Sequence, residues 1–155
     1  MVAKVALFIT FFLPWLTLFF ASKTTIKRYM PVTIFTCLLM TIVFQIAYHY
    51  KWWIIHTYII PWGYMIDISF AYGIFAVGTF WIFRLTSHRF LLYTIVNILM
   101  DTFMCFIALP LLLGSLKIAE YKNITPLQYF FVLYGISIII YFYHKWQDSL
   151  YIQTH

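Results

Sequence analysis

Residues 90–113 read FLLYTIVNILMDTFMCFIALPLLL, 24 residues in which Asp101 is the one charge. At about 1.5 Å of rise per residue, a helix of this length crosses a hydrocarbon layer about 30 Å thick. The apolar residues are continuous rather than alternating, which argues against a strand of an outer-membrane barrel. Four further apolar runs flank this one, at about residues 5–21, 30–50, 65–83 and 126–143. The composition of the 155-residue chain agrees: 65% is apolar, 23% aromatic and 9% charged, against about 25% charged in a soluble domain. Mean hydropathy is +0.91. The expected fold is all-α, a single integral membrane bundle of five transmembrane helices spanning residues 1–155. So few charges cannot solvate a soluble surface. The aromatic content excludes disorder, two cysteines exclude a disulfide scaffold, and no polar stretch is long enough for a second core.

The first run has Pro14 near its middle, which predicts a kink. It reads as an uncleaved span rather than a signal peptide. Lys4 is a thin basic start, no small-x-small cleavage site stands out, and Lys23, Lys27 and Arg28 follow as a stop-transfer cluster. Pro31 falls in the first turn expected for the second span, and Pro126 at the start of the fifth. Between spans two and three, residues 51–64 carry Trp52, Trp53, His56 and Trp62, with Pro61 and Gly63 as breaks. Aromatic residues at this density suit the headgroup level. The segment reads as interfacial or re-entrant, or as an extension of span three.

Net charge is +6, and the positives sit at the ends of apolar runs, where they meet lipid headgroups rather than nucleic acid. Five spans put the termini on opposite sides. The side holding Lys23, Lys27, Arg28, Arg84, Arg89 and Lys145 outweighs the side holding Lys4, Lys51, Lys117 and Lys122. The positive-inside rule then places the N-terminus outside and the C-terminus in the cytoplasm. The tail after span five carries His144, Lys145, Asp148 and His155.

Ionisable groups within a bilayer are costly and therefore functional candidates. Asp101 is the clearest. Thr94, Asn97, Asp101, Cys105 and Ala108 recur at spacings of three and four, which puts them on one helical face. One reading is a carboxyl that binds a proton or cation; the plainer one is a protonated Asp bonded to Asn97 or to a neighbouring span. Asp67, at the outer end of span three, is either a helix-start carboxylate favoured by the dipole or part of an open cavity. Small residues along that helix, Ser69, Gly73 and Gly78, permit close helix approach. On span two, Cys37, Thr41, Gln45 and His49 follow at intervals of four, which makes Gln45 a candidate polar partner of Asp101. His49, His56 and Asp67 fall on one side but match no ligand spacing, so no metal is expected. No phosphate-binding glycine loop, nucleophile elbow, H-E-x-x-H or C-x-x-C occurs, and no cofactor is expected. Cys37 and Cys105 read as small buried thiols. No internal repeat of the kind common in transporters is visible.

The motif Gly73-x-x-x-x-Gly78-Thr79-x-Trp81-Ile82-Phe83, followed by Asn97-x-x-x-Asp101, is accompanied by positives and Pro31 before span two and a Trp-rich loop with Pro61. In these features the chain resembles an uncharacterised family of small multi-span membrane proteins from spore-forming Firmicutes, over about residues 5–143. That resemblance implies a bacterial plasma membrane and a link to sporulation or germination, and carries no activity. Three roles fit the sequence. The leading one is a non-enzymatic accessory protein or subunit of a membrane assembly, partnered by the lipid bilayer and by another membrane protein or a homo-oligomer. The second is a small proton- or ion-linked transport protein using Asp101. The third is a membrane enzyme acting on lipid or prenyl substrates at the outer interface.

Overall fold

A computed structural model describes residues 1–153; His155 of the tail lies outside the described residues. Five helices are long and apolar enough to cross a membrane: α1 (Val2–Phe20), α2 (Lys23–His49), α3 (Ser69–Thr86), α4 (Phe90–Leu116) and α5 (Pro126–Gln153). The chain is all-α apart from one small sheet, in which β1 (Trp53–Ile55) pairs antiparallel with β2 (Ala119–Tyr121), Ile54 opposite Glu120.

The helices pack as a ring of four, α2 on α3, α3 on α4, α4 on α5 and α5 back on α2, with α1 outside the ring against α3. The core between them is apolar and aromatic, with Phe80, Phe83, Val32, Val77, Met40 and Cys105 all but fully enclosed. The outward faces are equally apolar. Phe8, Phe12, Leu16, Ile34, Leu38, Leu99, Phe103, Phe131 and Ile139 are exposed, far more continuous apolar surface than a soluble monomer shows and suited to lipid. The protein is membrane-embedded.

Local sequence accounts for most helix ends. Ser22 is the N-cap of α2 and accepts from the Thr25 amide at 3.2 Å. Thr125 and Gln128 form a reciprocal capping box at the start of α5, with Pro126 as its first residue. Lys51 and Lys117 both adopt left-handed backbone, φ 52°. Lys51 closes α2 in a Schellman turn, with Trp52 N–H donating to the Ala47 carbonyl and Lys51 N–H to Tyr48.

Several expected boundaries move. Residues 51–64 do not extend the helix of span three; they contain β1 and a run of turns, and α3 begins at Ser69 rather than residue 65. The left-handed turns at Lys51 and Lys117 each lead into a strand, and the pairing of Trp53–Ile55 with Ala119–Tyr121 joins segments that neither reveals alone. Because Ser22 caps α2, the helix begins at Lys23. The basic cluster therefore lies in its first turns rather than in a loop, and Pro31 is interior rather than in the first turn. The fifth helix runs ten residues past its expected end at Tyr143, because no glycine or proline follows to stop it.

α1 packs along the first half of α3 and buries Leu7 and Leu18, and a close approach and two indole hydrogen bonds add to that packing. Pro14 has no N–H to give the Thr10 carbonyl, four residues back. At that point α1 meets Gly73 so closely that a β-carbon there would sit 2.6 Å from the Thr10 oxygen. The Trp15 indole donates to the Tyr72 carbonyl at 2.9 Å, and the Trp81 indole to Thr17 Oγ1 at 2.8 Å. The first half of α3, Ser69–Phe75, is π-helical, and such widened turns leave carbonyls free for outside donors.

Candidate functional site: a carboxyl inside the helix ring

Asp101 lies on α4 facing the ring interior and is 8% exposed; Asn97, one turn earlier, is 7% exposed. Tyr93, Asn97, Asp101, Cys105 and Leu109 form the buried stripe of α4, with Met104 beside them. Residues four apart would drift around a regular helix. Here Met104–Ala108 is a π-helical turn, which takes in an extra residue and keeps the stripe inward. For the same reason Leu109 is the buried residue at the end of the stripe, where the expected pattern had Ala108; Ala108 is half-buried, as is Thr94.

Around Asp101 is a cavity of about 90 Å3, several times the ~10–15 Å3 that one water requires. Its polar lining comes from Thr36, Thr79, Asn97, Asp101 and Ser137, and the rest is Met, Ile, Leu, Phe and Gly78. Most of these polar groups are already engaged. Thr36 and Thr79 donate to carbonyls of their own helices. The Asn97 amide donates to the Tyr93 carbonyl at 2.8 Å, and Ser137 Oγ lies 3.2 Å from Asn97 Oδ1 and 3.0 Å from the Leu133 carbonyl. The Tyr93 hydroxyl closes the group by donating to the Ser137 carbonyl at 2.8 Å. Asp101 is left out: its Oδ2 is buried with no hydrogen-bond partner. Among the described residues the ion pairs are Arg28–Asp148 and His56–Glu120, and neither reaches it.

The expected partners sort differently in three dimensions. Asn97 joins Asp101 in the cavity wall but bonds to Ser137 and Tyr93 rather than to the carboxyl. Gln45 does not join it: the side chain is exposed on the outer face of α2. Ser137 of α5 occupies the polar position instead, a residue that sequence reading passed over because one serine in an apolar helix carries no signal by itself. Cys105 is buried and Cys37 half-buried.

Asp67 belongs to a second site. It is 6% exposed, and its Oδ1 accepts from the amides of Ser69 at 2.8 Å and Phe70 at 3.4 Å, so it does cap the first turn of α3. It also lines a cavity of about 50 Å3 beneath the two-stranded sheet. Burial pushes its carboxyl up to about 6, against the opposing pull of those two amides. Burial likewise raises the Tyr121 phenol across the cavity. The phenyl ring of Phe75 lines both cavities and stands between them. Trp52 and Trp53 are half-buried and Trp62 exposed. His49 is exposed with its ring edge-on to Tyr50, and His56 lies 3.7 Å from Glu120 on the sheet. Among the described residues no three His, Cys, Asp or Glu side chains are close enough to hold a metal ion.

At the opposite end of the ring is a polar group the sequence reading placed in a tail. His144 is 1% exposed, packed between Tyr29 and Phe83 with ring centroids 5.3 and 4.7 Å away, and its Nδ1 has no partner. One turn on, Arg28 and Asp148 form a bidentate pair at 2.8 and 3.1 Å, and Gln147 donates to the Arg28 carbonyl at 3.2 Å. The Tyr29 and Ser87 hydroxyls meet at 2.9 Å. The signal was present: Leu133, Ser137, Ile140, His144 and Gln147 continue one stripe at helical spacing.

This geometry defines a class: a multi-span membrane protein with a buried carboxyl in the wall of a largely apolar cavity between its helices. No protein-family model, curated protein or solved structure matches the chain.

Proposed function

We propose that the protein binds a proton or a compact monovalent cation at Asp101 and acts by itself as a small transport protein of the membrane. One observation carries this reading: a carboxyl oxygen enclosed in the ring with no donor and no cation beside it, in a cavity with room for water. An uncompensated buried charge is expensive, and a bound proton or cation removes that expense. A purely structural Asp would be expected to use its hydrogen-bonding capacity on its neighbours; here Asn97 and Ser137 use theirs on each other and on backbone.

The resemblance to the Firmicutes family supports a bacterial plasma membrane, and a role in spore formation or germination is part of the same proposal. The ends of the ring support an orientation. Lys23, Lys27, Arg28, Arg84, Arg89 and Lys145 belong to the end opposite the sheet, which the positive-inside rule assigns to the cytoplasm, with the N-terminus and the sheet outside.

The test is proton and monovalent-cation flux in proteoliposomes, wild type beside Asp101→Asn, with both shown to be monodisperse and equally helical. Flux in the wild type that Asp101→Asn abolishes supports the reading. Absence of flux in the wild type, or equal flux in both, overturns it, and the accessory role then takes its place.

A further inference from the structure

The end of the ring opposite the sheet carries positive charge that the fold does not balance. Lys23, Lys27 and Arg28 stand in the first two turns of α2, and no acidic residue accompanies them in the first turn. Lys23 and Lys27 are four residues apart, which makes them neighbours on one face of the helix, and both are exposed. Like charges at that spacing repel, and the start of a helix is its positive end, where cations are disfavoured. Among the described residues only Arg28 of the three pairs with an acid, Asp148 of α5. That pair ties α2 to α5 and takes two of the five guanidinium N–H donors, which leaves the others for a further acceptor.

Apolar surface adjoins these charges. An open groove between the start of α2 and the end of α5 is lined by the three cations and Thr24 on one side, and by Asp148, Tyr151 and Ile152 on the other. Exposed apolar side chains run along α5 on both sides of Asp148, Phe142 and Trp146 before it and Leu150 and Ile152 after it. A metal cation is repelled here. A small inorganic anion answers the charges but leaves the apolar surface beside them in water. A phospholipid with an anionic headgroup answers both: its phosphate accepts from Arg28 and the two lysines, and its chains cover the apolar side chains of α5. A zwitterionic headgroup brings a cation of its own into a cluster that is already positive. We infer that the groove between the start of α2 and the end of α5 binds the phosphate headgroup of an anionic phospholipid, as basic pockets between membrane helices do. It shares no lining residue with the Asp101 cavity.

The test is native mass spectrometry of the full-length protein in detergent, titrated with phosphatidylglycerol and separately with phosphatidylcholine of the same chains. Phosphatidylglycerol should bind saturably and about tenfold or more tightly than phosphatidylcholine. The double variant Lys23→Gln, Lys27→Gln should lose about tenfold in affinity for phosphatidylglycerol. Ile152→Glu, which adds a negative charge to the same groove, should weaken binding too and keeps the test open if the double variant fails to fold. Arg84→Gln with Arg89→Gln removes equal charge from exposed positions outside the groove and should bind as the wild type does, as should Asp101→Asn. Equal binding of the two lipids overturns the assignment, as does equal loss in the two double variants, which would mean that overall charge alone attracts the lipid. Displacement of the lipid by millimolar inorganic phosphate would make this a site for the free anion and overturn the lipid assignment. Loss of binding in Asp101→Asn overturns the independence of the two sites.

Discussion

The two glycines of α3 should behave oppositely when given a methyl group. At Gly73 a β-carbon would lie 2.6 Å from the Thr10 carbonyl oxygen and 3.1 Å from the Phe11 α-carbon. Both are backbone atoms of α1 and cannot rotate away, so α1 must shift. Overpacking of this kind costs about 1–3 kcal/mol, offset in part by the ~1 kcal/mol that alanine gains over glycine within a helix. At Gly78 a β-carbon meets nothing within 4 Å, because the position opens onto the Asp101 cavity. Gly78→Ala then keeps the propensity gain without the clash. The propensity contribution cancels between the two variants, so their difference isolates the clash, about 1–3 kcal/mol. SDS titration of each variant in mixed micelles, followed by circular dichroism, measures it. Gly73→Ala should unfold earlier than Gly78→Ala, and limited proteolysis should release α1 first, since α1 lies outside the ring and packs on α3 across this close approach. Equal midpoints for the two variants would refute the claim that α1 docks on Gly73. Gly78→Ala should also narrow the cavity and reduce any Asp101-dependent flux.

Asp67 makes stability depend on pH. Its folded value near 6 lies above its unfolded value of about 3.9, so the folded state holds the proton more tightly. Stability from this group is complete below about pH 4 and falls as pH rises through 6, by roughly 2–3 kcal/mol; the same SDS titrations across that range should show the decline, and Asp67→Asn should remove it. A double-mutant cycle on Arg28 and Asp148 should give a coupling of about 0.5–1 kcal/mol, because the pair is bidentate yet partly exposed, at 39% and 23%; a coupling near zero would show that it adds nothing beyond surface charge. His144→Phe should fold at least as stably as the wild type, because it removes an unpartnered buried nitrogen from a slot between Tyr29 and Phe83; destabilisation of more than about 1 kcal/mol would mean that Nδ1 is in fact hydrogen-bonded.

The sequence by itself determined the class of protein and the number of helices. Hydropathy is a one-dimensional property, and an apolar run of about 20 residues has few places to go except across a bilayer. Capping chemistry is local too, which is why Pro126 marked the start of α5. The tertiary structure alone decided which polar groups meet. Gln45 had the right residue type and depth for a partner of Asp101, yet the way α2 faces puts it on the outside, while Ser137 arrives from another helix. The π-turn at Met104–Ala108 moved the end of the buried stripe from Ala108 to Leu109, because it adds a residue to one turn of α4. The sheet joins Trp53–Ile55 to Ala119–Tyr121 across two intervening spans, and it alone places Tyr121 over Asp67. Gly73 and Gly78 are alike in the sequence, and only the nearness of α1, at the carbonyl that Pro14 leaves free, tells them apart.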